Sequence, residues 1–253
     1  EDFLFVEGKN YKLMVNPLFY MQMSLTTQSD SSFTTNTRGI EFKGNLTEKV
    51  SFYTAFYENQ AFFPAYIDNY VNEHIVVPGQ GARKTFKTNG HDYSRAVGYV
   101  SVTPVSFFNI QLGHSKHFVG EGYRSLLLSD NSFNYPFSKF TVTFPKWQYT
   151  GLYTAFLQFS GKYYSYHQRK HGTFHLLSLN PAKNFQIGLF EGIIWQTSDS
   201  TKVNDFPVSF FNPVMFIRPL QYSLDNENNV YLGLQLKYKV FDGVQVYGQF
   251  LLD

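Results

Sequence analysis

Residues 229–252 read NVYLGLQLKYKVFDGVQVYGQFLL, and this stretch decides the fold class. Apolar side chains occupy the even positions from Val230 to Val240, whereas Lys237 and Lys239 share the opposite face. Alternation with a period of two is the pattern of a β-strand. Asp242-Gly243 then suits a type I′ turn between two strands. The stretch therefore predicts an antiparallel hairpin with one apolar face.

The same alternation recurs along the chain, and no stretch shows the 3.6-residue period of an amphipathic helix. It predicts eleven strands, at 11–28, 34–44, 48–58, 93–103, 106–114, 138–145, 148–160, 172–179, 184–196, 229–240 and 243–252. The sequence is therefore expected to fold as an all-β protein.

Short and long connections alternate between these strands. The short turns are 45–47, 104–105, 145–147, 180–183 and 241–242. The long connections are 29–33, 59–92, 115–137, 161–171 and 197–228. In an antiparallel up-and-down sheet, all short turns then lie at one end and all long loops at the other. This is typical of transmembrane β-barrels of the bacterial outer membrane. A soluble sandwich or a lipocalin-like barrel also fits the alternation and stays the alternative fold.

Composition agrees with a membrane barrel. Of the 253 residues, 19% are aromatic and 16% are charged, below the ~25% charged residues of average soluble domains. The net charge of +2 and the scattered Lys and Arg residues argue against a nucleic-acid partner. Aromatic residues near strand ends are expected to form girdles in outer-membrane lipid. They include Tyr57, Phe62, Phe63, Tyr93, Tyr153, Phe159 and Tyr238.

The strand count predicts an incomplete barrel. Eleven is odd, whereas bacterial single-chain barrels have an even number of strands, and lipid does not tolerate an unpaired edge. We therefore expect residues 1–253 to be one outer-membrane barrel domain that continues in further strands or is closed by another copy or a partner. The apolar segment 207–222 is expected to fold into the lumen or over its mouth, so that long external loops plug the barrel.

Several motifs in the loops and strand ends carry a family resemblance. They are NTRG (36–39), VPGQG (77–81), GEGYRSLLLSD (120–130), HLLS (175–178), GLFE (188–191), FNPVMFIRP (211–219) and YGQFLLD (247–253). With them, the chain resembles the Wzi-type capsule assembly proteins and their Bacteroidetes relatives, which include proteins similar to the gliding-motility protein RemB. The resemblance covers nearly the whole chain, and the segment 120–130 is its most specific part.

The resemblance implies a plugged outer-membrane barrel, of which this chain is the N-terminal part. It further implies a non-catalytic protein that binds or organises surface capsular polysaccharide. The alternative is a structural component of the gliding-motility or secretion machinery that binds protein partners. The relatives do not share one activity, so the resemblance transfers the fold better than the function.

Charged residues among apolar positions supply the first set of candidate site residues. They are Arg38, Glu121, Arg124, Asp130, Glu191 and Arg218. We expect them to form an Arg and carboxylate network that fixes plug segments to the wall, because buried charges need partners. Glu191 breaks the apolar alternation of its strand, so it lies either beyond the lipid or is turned inward by a bulge at Gly192.

Aromatic and planar hydrogen-bonding side chains supply the second set, since sugars are bound by such groups. The candidate ligand-binding residues are Tyr123, Arg124, Tyr135, Phe137, Arg218 and Tyr222.

Metal and catalytic chemistry have little support in the sequence. His114 and His117 are three apart and point to opposite faces of a strand. His167, His171 and His175 have helical spacing but cross a predicted loop. No Gly-x-Ser-x-Gly elbow or other nucleophile signature occurs. We therefore expect no metal, no cofactor and no enzyme activity.

Overall fold

One antiparallel sheet dominates the structure, a computed structural model that describes residues 2–26, 32–159, 167–199, 202–203, 211–216 and 229–253. Its elements are β1 (Leu4–Glu7), β2 (Lys12–Leu25), β3 (Ser32–Asn45), β4 (Val50–Phe62), α1 (Ala65–His74), β5 (Val76–Val77), β6 (Gly81–Ala82), β7 (Lys84–Phe86), β8 (Gly90–Val105), β9 (Phe108–Ser115), β10 (Tyr135–Phe144), β11 (Trp147–Phe159), β12 (His167–Ala182), β13 (Phe185–Asp199), β14 (Lys202–Val203), β15 (Asn229–Phe241) and β16 (Val244–Leu252). The all-β prediction is confirmed.

The long strands pair with their neighbours in chain order, as an up-and-down meander requires. The order is β1-β2-β3-β4-β8-β9-β10-β11-β12-β13-β15-β16. The short strands β7 and β14 add to β8 and β13, and β5 pairs with β6 in a separate hairpin. Among the described residues, no pairing joins β1 to β16, so the sheet is open in this structure.

One face of the sheet exposes most of its large apolar side chains, and we call it the apolar face. On β2 it carries Leu13, Val15, Pro17, Phe19, Met21, Met23 and Leu25. Residues opposite each other in register share a face, so this column continues into Ile40 of β3 and Phe56 of β4. Further along the sheet, Leu112 of β9 is 57% exposed on the same face.

The opposite face, called here the loop-bearing face, is covered by the connection 116–134 between β9 and β10. Leu127 of this connection packs against Phe174 and Phe190 in the largest buried apolar cluster. Glu121 accepts a hydrogen bond from Lys237 Nζ of β15 at 3.0 Å. The amide of Leu126 donates to Gln249 Oε1 of β16 at 2.9 Å. The connection therefore crosses the loop-bearing face from β9 to the last strand.

The connection between β4 and β8 also folds onto this face, and it contains a helix that the sequence did not predict. Helix α1 follows Pro64 and ends at Ile75, which takes a left-handed conformation and donates its amide to Val71 O. Val71 is its one buried residue. A short helix with so few buried positions has no clear 3.6-residue period. The sequence therefore predicted the whole of 59–92 as a loop.

One strand was missed, and several strands extend beyond their predicted bounds. β1 was missed because Leu4, Phe5 and Val6 are consecutive apolar residues that show no alternation. β12 begins at His167, so 167–171 belong to a strand instead of a loop.

The turn type predicted at Asp242-Gly243 is wrong. A type I′ turn needs positive φ at both central residues, but only Gly243 has it, with φ of 94°. A register shift between Lys239 and Phe241 accommodates the turn instead.

Within the described part of the chain, no helix is both long and apolar enough to cross a membrane.

The packing of the connection 116–134 predicts unequal effects of two neighbouring truncations. Leu127→Ala removes a buried side chain and leaves a cavity, so it should lower the free energy of unfolding by about 2–5 kcal/mol. Leu126 is 62% exposed, and Leu126→Ala should change it by less than about 0.5 kcal/mol. Denaturant titration in detergent measures both. Equal losses would show that the connection does not dock as described.

Candidate functional site

The long-loop end of the loop-bearing face encloses a cavity of about 450 Å³. Strands β2, β3, β4 and β8 form its wall, and α1 with the β5–β6 hairpin forms its roof. It is lined by Tyr20, Gln22, Thr35, Thr37, Tyr57, Asn59, Phe63, Ile67, Val77, Pro78, Gln80, Tyr93 and Arg95. A volume of this size lies within the ~300–1,000 Å³ of typical ligand sites.

Alternation brings the wall residues together. Thr37 is the register partner of Tyr20 and of Asn59, and Asn59 is that of Tyr93. A row of opposed residues on four strands therefore points to one face. Three tyrosines and Phe63 contribute four aromatic rings to the lining, beside its amide and hydroxyl groups.

Hydrogen bonds fix the polar groups of the wall. Thr37 Oγ1 donates to Asn59 Oδ1 at 2.7 Å, and Asn59 Nδ2 donates to the carbonyl of Tyr93 at 3.1 Å. Tyr20 Oη donates to Gln22 Oε1 at 3.0 Å. The guanidinium of Arg95 lies over the Tyr57 ring, 4.5 Å from its centroid. These side chains are therefore held in place before any ligand binds.

The roof is anchored by a buried histidine. His91 Nε2 lies 2.6 Å from Asp68 Oδ1 of α1, and the His91 side chain is 3% exposed. The Phe63 ring stacks on His91 with centroids 5.5 Å apart. Val71 and Val77 pack with Ala61 and Tyr93 beneath the helix. The helix is thus attached to the sheet by one polar contact and one apolar cluster.

The connection 116–134 borders the roof and carries two groups with shifted pKa values. Lys116 Nζ donates to the carbonyl of Gly79 in the hairpin at 3.2 Å. Burial lowers the pKa of Lys116, the positive charge of Arg95 lowers it further, and Asp130 opposes both effects. Burial, with a smaller contribution from Lys139, lowers the pKa of His117 to about 4. His117 is therefore neutral near pH 7.

The predicted ligand-binding residues do not meet in one place within the described ranges. Tyr123 is 90% exposed, and Arg124 is exposed beside it with its guanidinium 5.7 Å from the Tyr123 ring centroid. Tyr135 and Phe137 are buried in the apolar cluster around Leu127. The remaining two, Arg218 and Tyr222, lie outside the described residues.

The predicted charge network resolves into separate contacts. Arg38 lies on the apolar face and pairs with Glu58 at 3.7 Å, with both side chains about half exposed. Glu121 pairs with Lys237 on the loop-bearing face. Arg124 and Asp130 are exposed. Arg38 is thus placed away from the segments that cover the loop-bearing face.

Glu191 forms a third contact, a buried pair with His175. Glu191 Oε2 lies 3.0 Å from His175 Nδ1, and both side chains are at most 3% exposed. The register of β13 is continuous through Gly192, so the predicted bulge is absent there and Glu191 stays on the apolar face. The pair is instead buried by a segment that packs over it.

That segment is 211–216, part of the apolar stretch predicted to enter the lumen. The amide of Phe216 donates to Glu191 Oε2 at 3.0 Å. Tyr149 and Tyr153 donate to the carbonyls of Pro213 and Phe211. Both tyrosines lie on the apolar face, so the segment packs on the face opposite to the connection 116–134. The segment supplies a hydrogen bond to this buried polar pair, which explains its placement, since buried polar groups are costly without hydrogen-bond partners.

A second, smaller cavity of about 260 Å³ lies beside this segment. Its lining includes Tyr153, His171, Trp195 and Phe211.

The histidines do not gather into a ligand set. His167, His171 and His175 are four residues apart on one strand, so successive members are about 13 Å apart along β12. Within the described residues, no group of three or more His, Cys, Asp or Glu side chains is placed to hold a metal ion.

Comparison with models of known protein families gives no match to this chain, and comparison with curated proteins gives none either. The resemblance to the Wzi-type capsule assembly proteins therefore stays a prediction.

The cavity was missed because its residues are far apart in sequence. Tyr57 and Tyr93 were predicted as girdle residues, but both lie on the loop-bearing face and line the cavity. The available signal was an aromatic or amide side chain at the long-loop end of several strands on one alternation face. Only the register shows that these side chains meet.

The roof contact predicts a local effect of one substitution. Asp68→Ala removes the hydrogen bond to buried His91, so the free energy of opening α1 should fall by about 1–3 kcal/mol. Amide hydrogen exchange over 65–82 measures this change. The exposed Glu73 on the same helix serves as the control, because Glu73→Ala should leave exchange there nearly unchanged. Exchange that is the same in both variants would show that the contact does not anchor the roof.

Proposed function

We propose that this sheet forms part of an outer-membrane β-barrel that binds surface polysaccharide in the cavity beneath α1. The apolar face contacts lipid in this proposal, and the loop-bearing face forms the wall of a lumen that α1, the β5–β6 hairpin and the connection 116–134 fill. The ends of the sheet, β1 and β16, must then be paired, because lipid does not tolerate an open edge.

The apolar face supports the membrane location. A soluble sheet buries its apolar face against a second layer, whereas here Phe19, Met21 and Leu25 are each more than 75% exposed. Contiguous exposed apolar surface of this kind marks an interaction surface, and lipid is the partner that suits a face many strands wide. Two polar pairs lie on this face: Arg38–Glu58 is about half exposed, and the buried pair His175–Glu191 is covered by the segment 211–216.

The cavity carries the saccharide assignment. Sugars present apolar ring faces and many hydroxyls, so they are bound by aromatic rings together with planar hydrogen-bonding groups. Tyr20, Tyr57 and Tyr93 supply rings, and Gln22 and Asn59 supply amides. Both kinds of group converge on one space at the end of the sheet that carries the long loops.

Exposed residues of the connection 116–134 favour a second candidate function. Tyr123, Arg124 and Leu126 are exposed together at one point of this connection. Aromatic residues and Arg are enriched at protein interfaces. A component of a surface machine that binds a protein partner through this point is therefore the alternative.

Lipid contact predicts a cost for charge on the apolar face. Leu112→Lys should destabilise the folded protein in bilayers by about 2–4 kcal/mol, because the ammonium must enter hydrocarbon. Urea titration in liposomes measures the loss. Leu112→Ala is the control, and it should cost less than Leu112→Lys. In a soluble sheet, Lys at such an exposed position would change stability by only about 0.5 kcal/mol, and that result would contradict the membrane location.

Saccharide binding is tested with a glycan array and the full chain in detergent. At least one surface polysaccharide should bind, and Tyr20→Ala should weaken its affinity by about tenfold through the loss of one ring contact. Tyr66 is exposed on α1 outside the cavity, so Tyr66→Ala should bind as the unchanged protein does. Binding to no glycan, together with capture of a protein through Tyr123 and Arg124, would favour the alternative.

A further inference from the structure

Arg95 is the only charged side chain among the described residues that line the cavity. It projects from β8 on the loop-bearing face, with Tyr57 as its register partner on β4. The Tyr57 ring supports its guanidinium at 4.5 Å from the centroid. A guanidinium stacked in this way keeps its edge free for planar partners.

Arg95 has no carboxylate partner in the described part of the chain. The nearby acids Glu58 and Asp92 alternate to the apolar face, with the sheet between them and Arg95. Asp68 of the roof is bound to His91. The Nε atom of Arg95 is buried and has no hydrogen-bond partner among the described residues. A buried donor and an unpaired charge are both costly unless a ligand satisfies them.

A second cation, Lys116, lies close enough to Arg95 for their charges to interact. Lys116 is half-buried beside the roof hairpin, and its electrostatic interaction with Arg95 is repulsive. Asp130 opposes this effect at Lys116, but no ion pair joins Asp130 to Arg95 among the described residues. The cavity therefore has a positive potential that an entering anion would neutralise.

We infer that the polysaccharide bound in this cavity is acidic, and that Arg95 binds a carboxylate of a uronic-acid unit. A carboxylate matches the planar guanidinium and can accept two parallel hydrogen bonds. The tyrosine rings and amides around it hold the sugar ring. This inference rests on the proposed saccharide function and adds the charge class of the ligand.

The experiment uses the full chain in detergent and an array of acidic polysaccharides, each paired with its carboxyl-reduced form. Reduction converts the carboxylate to a neutral hydroxymethyl group and leaves the chain otherwise the same. The acidic form should bind about 10- to 100-fold more tightly than its reduced partner, as the loss of a charge-assisted hydrogen bond predicts. Added salt should weaken the acidic form selectively.

Variants assign the effect to Arg95. Arg95→Gln should remove the preference for the acidic form, and Arg95→Lys should keep part of it because charge remains without the planar fork. Arg83 lies near the roof but does not line the cavity, so Arg83→Gln should keep the full preference. Gel mobility with and without heating checks that each variant is folded.

The outcomes separate the two claims. Equal binding of acidic and reduced forms would overturn the acidic specificity and leave saccharide binding standing. Acidic preference that survives in Arg95→Gln would overturn the role of Arg95. Binding to neither form of any pair would overturn the proposed saccharide function itself.

Discussion

Strand alternation in an unbroken antiparallel register is the constraint on which the rest of the structure depends. Because register partners share a face, each of the long strands must divide its side chains between the same two environments. A slip of one residue in any strand would move its apolar side chains from the apolar face to the loop-bearing face. The exposed column of β2 and the polar wall of the cavity are thus two results of one register.

Buried polar groups explain how the connections are arranged around this sheet. On the loop-bearing face, Glu121 is paired with Lys237, and His91 holds α1 through Asp68. On the apolar face, Glu191 and His175 are covered by the segment 211–216, which supplies a backbone amide to the carboxylate. In each case, a connection brings together a buried or partly buried polar side chain and its partner.

The strands were predictable because alternation is a local signal, and all eleven expected strands have a counterpart in the sheet. Helix α1 and strand β1 were not predictable, since neither is long enough to show its period. The packing of 211–216 on the apolar face was not predictable, because the sequence does not show that Glu191 keeps its register. The cavity could not be predicted, because its wall depends on the register of β2, β3, β4 and β8. Its roof, α1 and the β5–β6 hairpin, lies in the connection between β4 and β8. The sequence motif 120–130 contains Tyr123, but the sequence alone does not show that this side chain is exposed.

The measurement that tests this account most directly is a spin-label accessibility scan along β2 in lipid bilayers. The chain has no cysteine, so single cysteines at positions 13–25 can each carry one nitroxide without background labelling. The account predicts that oxygen dissolved in lipid reaches the odd positions, which lie on the apolar face, and that a water-soluble nickel complex is excluded from them. Even positions should show the reverse preference or shielding from both. Access of the nickel complex to the odd positions, or a lack of oxygen access there, would contradict the lipid-facing sheet.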